Sequence, residues 1–360
     1  MAVNLSLTEA LQATQTNLSE NVGVNDPTHY EKDLGATKFL LGSTNKRTIT
    51  TEMGRSANAG KYRPVEVRYL PKKGQDGVTE AESGYTCARG TTRREIVETL
   101  NPTLWSGDTF TLDEAIIREG TQDQLNVRIQ KELNDAFLNV RENMDKQLFS
   151  AMATLVGANP AQGVSKGAYR TLEMLNSDGT LNADTFDEIV NDAQDNFMIG
   201  DPALIGSNNT RKVVNRLQVG DVASGGINFA GVATGFGMDF FNDSWTNTVH
   251  TVANKQRLLA VYPGLAQYYQ YNFFKGGLYE DKSGVSVKTT MTDPLFPGIT
   301  YDVHLKHDDG CSTNNPQGFL TGSVFVYYDL WTAPEGAFGE GYTQNLNDFT
   351  GIVGYNITQA

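Results

Sequence analysis

Between Thr121 and Val156 the apolar residues Ile129, Leu133, Phe137, Val140, Met144, Leu148, Met152 and Leu155 recur at steps of three and four. Every such step lands on one face of an α-helix, so the stretch is predicted to be a single amphipathic rod. Thr121-x-x-Gln124 supplies a capping box at its start, and Gly157 with Pro160 stops it. At about 1.5 Å per residue the rod is roughly 50 Å long, unusual for a globular helix. The opposite face carries Arg128 with Glu132, Lys131 with Asp135, Arg141 with Asp145 and Glu142 with Lys146, all at i,i+4, and is expected to meet solvent. No second helix of matching length is present. A spine laid against a sheet therefore fits better than a coiled coil or a bundle.

Strand signals surround this rod. Leu258 to Tyr262, Tyr268 to Phe274, Val285 to Thr290, Tyr301 to Leu305 and Ser323 to Trp331 read as strands, and Ala203-Leu204-Ile205-Gly206 as a short buried one. Thr111-x-x-Glu114 is a second capping box, predicting a short helix before the spine. Another, Thr185-x-x-Glu188, opens a helix that buries Phe186, Ile189, Val190, Ala193 and Phe197 before Gly200 and Pro202 end it. Ser207 is placed to cap a further helix through Leu217. Residues 1–60 are polar and read as an extended arm with a short helix near Leu5 to Leu11. No internal repeat and no Pro/Ser-rich linker separates independent domains.

Charge is segregated. Residues 46–94 hold eleven basic side chains against five acids, a local balance of +6 that leaves -19 on the rest of a chain whose formal charge is -13. Within this stretch Val65, Val67 and Tyr69 alternate with Glu66 and Arg68, and Pro71 to Gly77 supply turn chemistry, so a long hairpin is predicted with its return strand near Tyr85 to Ala88. A hairpin this polar has no core of its own and is marginal in isolation. Either it is a solvated surface feature, or its cations Arg55, Lys61, Arg63, Arg68, Lys72, Lys73, Arg89, Arg93 and Arg94 lie across the acidic surface of a neighbouring subunit.

Chemistry-bearing motifs are sparse. Cys87 and Cys311 are too few for a disulfide framework and lack metal-finger spacing. His304 and His307 precede Asp308 and Asp309, yet an i,i+3 pair in a strand points to opposite faces, so no metal site is expected there. Asn176-x-Asp178-Gly179 resembles the middle of a calcium loop, but Met174 and Thr185 occupy its first and twelfth positions. There is no phosphate-cradling G-x-x-x-x-G-K-[ST], no third glycine after Gly235-Phe-Gly237, and no G-x-S-x-G elbow. Neither catalytic residues nor a cofactor are expected. The first twenty residues lack a basic flank followed by an apolar run, and no window of about 18 apolar residues occurs. A cytoplasmic, non-membrane protein is the expectation, and its acidity argues against broad nonspecific nucleic-acid binding.

The order of elements, arm, basic hairpin, spine, helix-strand-helix unit, glycine-rich stretch and closing strands, resembles the major capsid proteins of tailed bacteriophages. The pieces that carry the resemblance are Lys61 to Pro71, the spine Thr121 to Val156, and Asp184 to Leu217 with Asp201-Pro-Ala-Leu-Ile-Gly-Ser207. It implies an α+β, Hong Kong 97-like fold. Residues 1–45 would be the N-terminal arm, 46–100 the extended hairpin loop, 101–183 a peripheral domain containing the spine at about 121–156, 184–300 an axial domain, and 301–360 the closing strands and tail. The implied role is self-assembly as hexamers and pentamers into an icosahedral virion shell enclosing double-stranded DNA. Portal, and scaffolding or decoration proteins, would be partners, and assembly would take place in the host cytoplasm. An encapsulin-like shell protein or a tail or neck component are alternatives within structural proteins. A carboxylate-dependent hydrolase would instead need two acids in a concave cleft.

Overall fold

The structure is a computed structural model and describes residues 7–20, 32–42, 50–53, 65–69, 96–113, 122–159, 162–173, 182, 184–195, 202–210, 239–246, 255–274, 278–280, 286–293, 295–308, 319–332 and 349–358. The chain divides into two compact units, each drawn from three separate stretches. The first comprises Met1–Lys32, Pro102–Met144 and Tyr269–Asp329; the second comprises Asp33–Asn101, Asp145–Tyr268 and Leu330–Ala360.

The first unit is built on a sheet of β4 (Leu104–Asp113), β10 (Tyr279–Glu280), β11 (Ser286–Thr292), β12 (Thr300–Asp308) and β13 (Phe319–Thr332), joined at β13 by β9 (Ala266–Tyr271). Its order is β10-β11-β12-β13-β4, with antiparallel pairing throughout that path. Alternation decides which face is buried. Along β13, Leu320, Val324, Val326 and Tyr328 are buried, while Thr321, Ser323, Phe325 and Tyr327 between them are half-exposed. Val303, Leu305, Val287 and Met291 extend the buried row.

The spine is α3 (Gln122–Thr154), and Leu125, Ile129, Leu133, Phe137 and Val140 form its stripe within this unit. Phe137 stacks on Tyr301 at 4.9 Å between ring centroids, and the Ser106 hydroxyl donates to the Val140 carbonyl at 3.0 Å. The spine thus lies on a sheet as its periodicity predicts. α1 (Leu7–Glu20) is longer than the sequence signal and buries Leu7, Ala10 and Leu11. The capping box expected at Thr111 does not form, because Thr111 pairs with Thr321 as part of β4.

The second unit carries a mixed five-stranded sheet in the order β5-β14-β8-β6-β7, from β5 (Arg170–Glu173), β6 (Ala203–Gly206), β7 (Phe240–Asn242), β8 (Lys255–Val261) and β14 (Ile352–Thr358). Leu258 to Val261 and all of β6 are buried without alternation, the pattern of strands covered on both faces. α2 (Gly35–Leu41) and α4 (Asp184–Asp195) belong to this unit, with Met144's successors on α3.

α2 is a second helix in the region read as an extended arm. In α4 the capping box is absent: the Thr185 hydroxyl donates to the Glu173 carbonyl at 2.6 Å, and Glu188 reaches Arg170. Ser207 does cap, accepting the Thr210 N–H at 3.4 Å; residues 211–217 lie outside the described residues.

A separate three-stranded antiparallel sheet, β1 (Thr50–Met53), β2 (Val65–Tyr69) and β3 (Ile96–Leu100), has β2 in the middle. The return strand is therefore Ile96–Leu100, paired Val65↔Leu100 to Tyr69↔Ile96. The expected one at 85–88 lies outside the described residues.

Candidate functional site

Of the nine cations assigned to a subunit contact, Arg68 alone lies within a described strand, opposite Thr50 on one side and Val97 on the other. Arg55, Lys61, Arg63, Lys72, Lys73, Arg89, Arg93 and Arg94 lie outside the described residues.

Several of the described buried acids are held by donors. In the first unit Arg141 and Asp293 form a buried ion pair at 3.3 Å. Asp293 also accepts the N–H groups of Leu295 and Phe296 at 2.8 and 2.9 Å and the Tyr301 hydroxyl at 2.6 Å. The Arg141 guanidinium lies 5.5 Å from the centre of the Phe296 ring. Asp302 accepts the N–H groups of Phe273 and Phe274 at 2.6 and 3.2 Å. Burial raises its pKa, and those two backbone bonds oppose the rise.

In the second unit Asp192, on α4, accepts Arg170 Nη1 at 2.5 Å, Asn159 Nδ2 at 2.8 Å and the Tyr355 hydroxyl at 3.0 Å. Burial, followed by the Asp192 charge, drives the Tyr355 phenol well above its ordinary range, so it stays a donor. One carboxylate thereby ties a helix to β5 and β14. Tyr169 receives the Arg257 guanidinium 4.4 Å from its ring centre.

Two expectations for the spine change. Arg141 and Asp145 do not pair at i,i+4 on a solvent face: both are buried, Arg141 with Asp293 and Asp145 with α2. Glu142 pairs with Lys32 at 2.8 Å, and Lys146 sits over the Trp245 ring at 5.4 Å. A charge on a helix reads as exposed in a sequence, and only its tertiary partner reveals otherwise.

His304 and His307 fall in β12, where His304 shares a 2.8 Å hydrogen bond with Ser286. Among the described residues no group of three or more His, Cys, Asp or Glu is arranged to hold a metal ion. No described helix is long and apolar enough to cross a membrane.

No family model and no curated protein matches the chain. Solved structures do. The capsid asymmetric unit of Cyanophage A-1(L) matches at 12% identity and a TM-score of 0.50, covering 93% of this chain and 96% of that one. The capsid structure of Cyanophage P-SCSP1u matches at 10% identity, TM-score 0.45, over 94% and 91% of the two chains. A structure from Mycobacterium phage Bobi matches at 12% identity, TM-score 0.43, over 99% and 100%. The first likeness extends over nearly all of both chains, and what it establishes is the architecture: this chain has the α+β, Hong Kong 97-like fold of a phage capsid subunit.

Proposed function

We propose that the chain is the major capsid protein of a tailed phage, assembling as hexamers and pentamers into an icosahedral shell around double-stranded DNA. One observation carries this reading: the fold likeness to a capsid asymmetric unit covers 93% of this chain and 96% of that one. The role is architectural rather than catalytic, which agrees with buried acids spent on guanidinium, amide and hydroxyl donors. Residues 1–45 serve as an arm and 46–100 as a loop reaching a neighbour, with the peripheral and axial parts divided as the resemblance implies. The nine cations from Arg55 to Arg94 meet the acidic surface of that neighbour, since residues 46–94 carry +6 against -19 in the rest of the chain. Portal, scaffolding or decoration proteins complete the particle, which forms in the host cytoplasm and becomes the virion.

The test is electron microscopy of the expressed protein, alone and after reversing Arg63, Arg68, Lys72 and Lys73 to glutamate. Closed shells from the parent chain and unassembled subunits from the variant are expected. Tubes or rings would place the protein in the tail or neck, and shells filled with protein would make it an encapsulin-like container. A monomer under every salt condition overturns the assembly reading. Assembly of the variant indistinguishable from the parent removes the cationic contact.

A further inference from the structure

Two acids are buried side by side in the second unit. Asp145, on α3, and Asp243, just after β7, are 0% and 1% exposed. Both hold the start of α2: Asp145 Oδ1 accepts the Thr37 N–H at 2.8 Å, and Asp243 Oδ2 accepts the Ala36 N–H at 3.0 Å. Asp243 Oδ1 takes the Trp245 N–H at 2.8 Å. The approach is close, since a Cβ on Gly35 would meet the Asn242 carbonyl oxygen at 2.6 Å and Asp243 Cβ at 2.8 Å. The remaining oxygen, Asp145 Oδ2, is buried and has no donor among the described residues. Yet the N–H groups they accept belong to adjacent residues, Ala36 and Thr37, which sets the two carboxyl groups side by side. These facts are reconciled by chemistry: two carboxylates cannot bond to each other, but an acid and a carboxylate can.

We propose that Asp145 and Asp243 hold one proton between them, and that this shared proton latches the segment Asp33–Gly42 into the second unit. Asp145 Oδ2–H donates to the Asp243 carboxylate while Asp145 Oδ1 still accepts the Thr37 N–H. Opening breaks that O–H bond, gives its proton to a base in solvent, and leaves two anions against each other at a buried site, where repulsion is strong.

Among the described residues no cation is paired with either carboxylate. On α2, Lys38 is half-exposed and 4.0 Å from Asp33. On α3, Lys146 is directed to Trp245, and Arg141 and Glu142 are engaged with Asp293 and Lys32. On the segment around β7, Asp239 is the other charged group, and it is exposed. Asp33 itself is tied to Asn242 and to Ser244. The Thr37 hydroxyl, also buried without an aligned partner, lies beside Asp145 and favours its ionised form.

The sign follows from the direction of the shifts. Burial, then the neighbouring Asp243 charge, pushes Asp145 well above the ordinary carboxylate value of 3.8. Burial pushes Asp243 up to about 6. Raised acid values mean that the protonated pair stabilises the fold, fully below pH 3.8, and that this contribution is lost as pH climbs through the folded values. Near pH 6 the first proton leaves and the shared one remains. Its loss, at higher pH, opens the latch.

Hydrogen exchange at Ala36 and Thr37, read as protection factors, tests this. In the parent chain protection falls by about tenfold or more as pH is raised from neutral into the alkaline range. Asp145→Asn keeps an acceptor for Thr37 and gives a permanent donor to Asp243, so its protection stays level. Asp243→Asn keeps one oxygen for a backbone N–H, gives up the second such bond and offers its amide to Asp145 Oδ2; its protection starts lower but stays level with pH, which covers the case in which the first variant does not fold. Protection at Leu258 to Val261 reports that each variant is intact. Level protection in the parent chain, or an equal fall in a folded variant, overturns the proposal. So does the absence, in infrared spectra of the parent chain at neutral pH, of a protonated-acid carbonyl band that Asp145→Asn removes.

Discussion

Arg141 donates to Asp293 at 3.3 Å with both side chains out of solvent, 6% and 0% exposed. The carboxylate holds three further donors, the neutral groups of Leu295, Phe296 and Tyr301, whereas the guanidinium carries a full charge out of solvent. Removing the anion is therefore worse than removing the cation. Asp293→Ala is expected to cost about 3–5 kcal/mol and Arg141→Met distinctly less, because the latter leaves a carboxylate still bonded by neutral donors. Urea denaturation measures both, and equal losses would contradict the asymmetry.

Gly322 and Phe110 face each other across β13 and β4. A Cβ at 322 would lie 2.1 Å from the Phe110 ring. Gly322→Ala should cost about 1–3 kcal/mol through overpacking, and Phe110→Leu introduced beside it should recover part of the loss. Strict additivity of the two changes in thermal melting would show that the ring does not occupy this space.

Asp192 and Glu188 both bind Arg170, but Asp192 is buried with three donors while the Glu188 side chain is 40% exposed. Asp192→Ala is expected to cost about 3 kcal/mol or more, leaving Arg170, Asn159 and Tyr355 short of an acceptor. Glu188→Ala is expected to cost under about 1 kcal/mol. Denaturation midpoints of the two variants separate these outcomes.

Burial, then Lys288 and Lys306, lowers the pKa of His304 from its ordinary 6.5. For a base the depressed value means that its contribution is present above pH 6.5 and lost as pH falls through the lower, folded value. Stability measured from about pH 7 down to about pH 5 should fall more in the parent chain than in His304→Gln, whose amide can still meet Ser286. Taking the difference between the two isolates this group from acids that respond in the opposite direction.

The spine was legible because its stripe repeats over many turns, and β12 and β13 because alternation survives along their length. Local signals failed where distant partners prevailed. Thr111 looks like a cap until β13 pairs with it, and Thr185 looks like one until the Glu173 carbonyl claims its hydroxyl. α2 has seven residues and no local side-chain cap. Its start is held instead by Asp145 and Asp243, 108 and 207 residues from the amides they accept. No window of sequence contains that information. Arg141 and Asp145 illustrate the converse, an i,i+4 spacing that invites a local pair although each has a remote partner. The charge segregation of residues 46–94 was plain in the sequence, whereas the β1-β2-β3 pairing was not, since β3 follows β2 only after a long polar interval.

β14 occupies an interior position of its sheet, with β5 on one side and β8 on the other, yet it is made from Ile352–Thr358. During synthesis β5 and β8 leave the ribosome long before the strand that joins them. A nascent or prematurely terminated chain thus presents two unmated edges where the finished one has a continuous ladder. Loss of Ile352–Thr358 therefore uncovers buried strand edges in the middle of a sheet rather than trimming its rim.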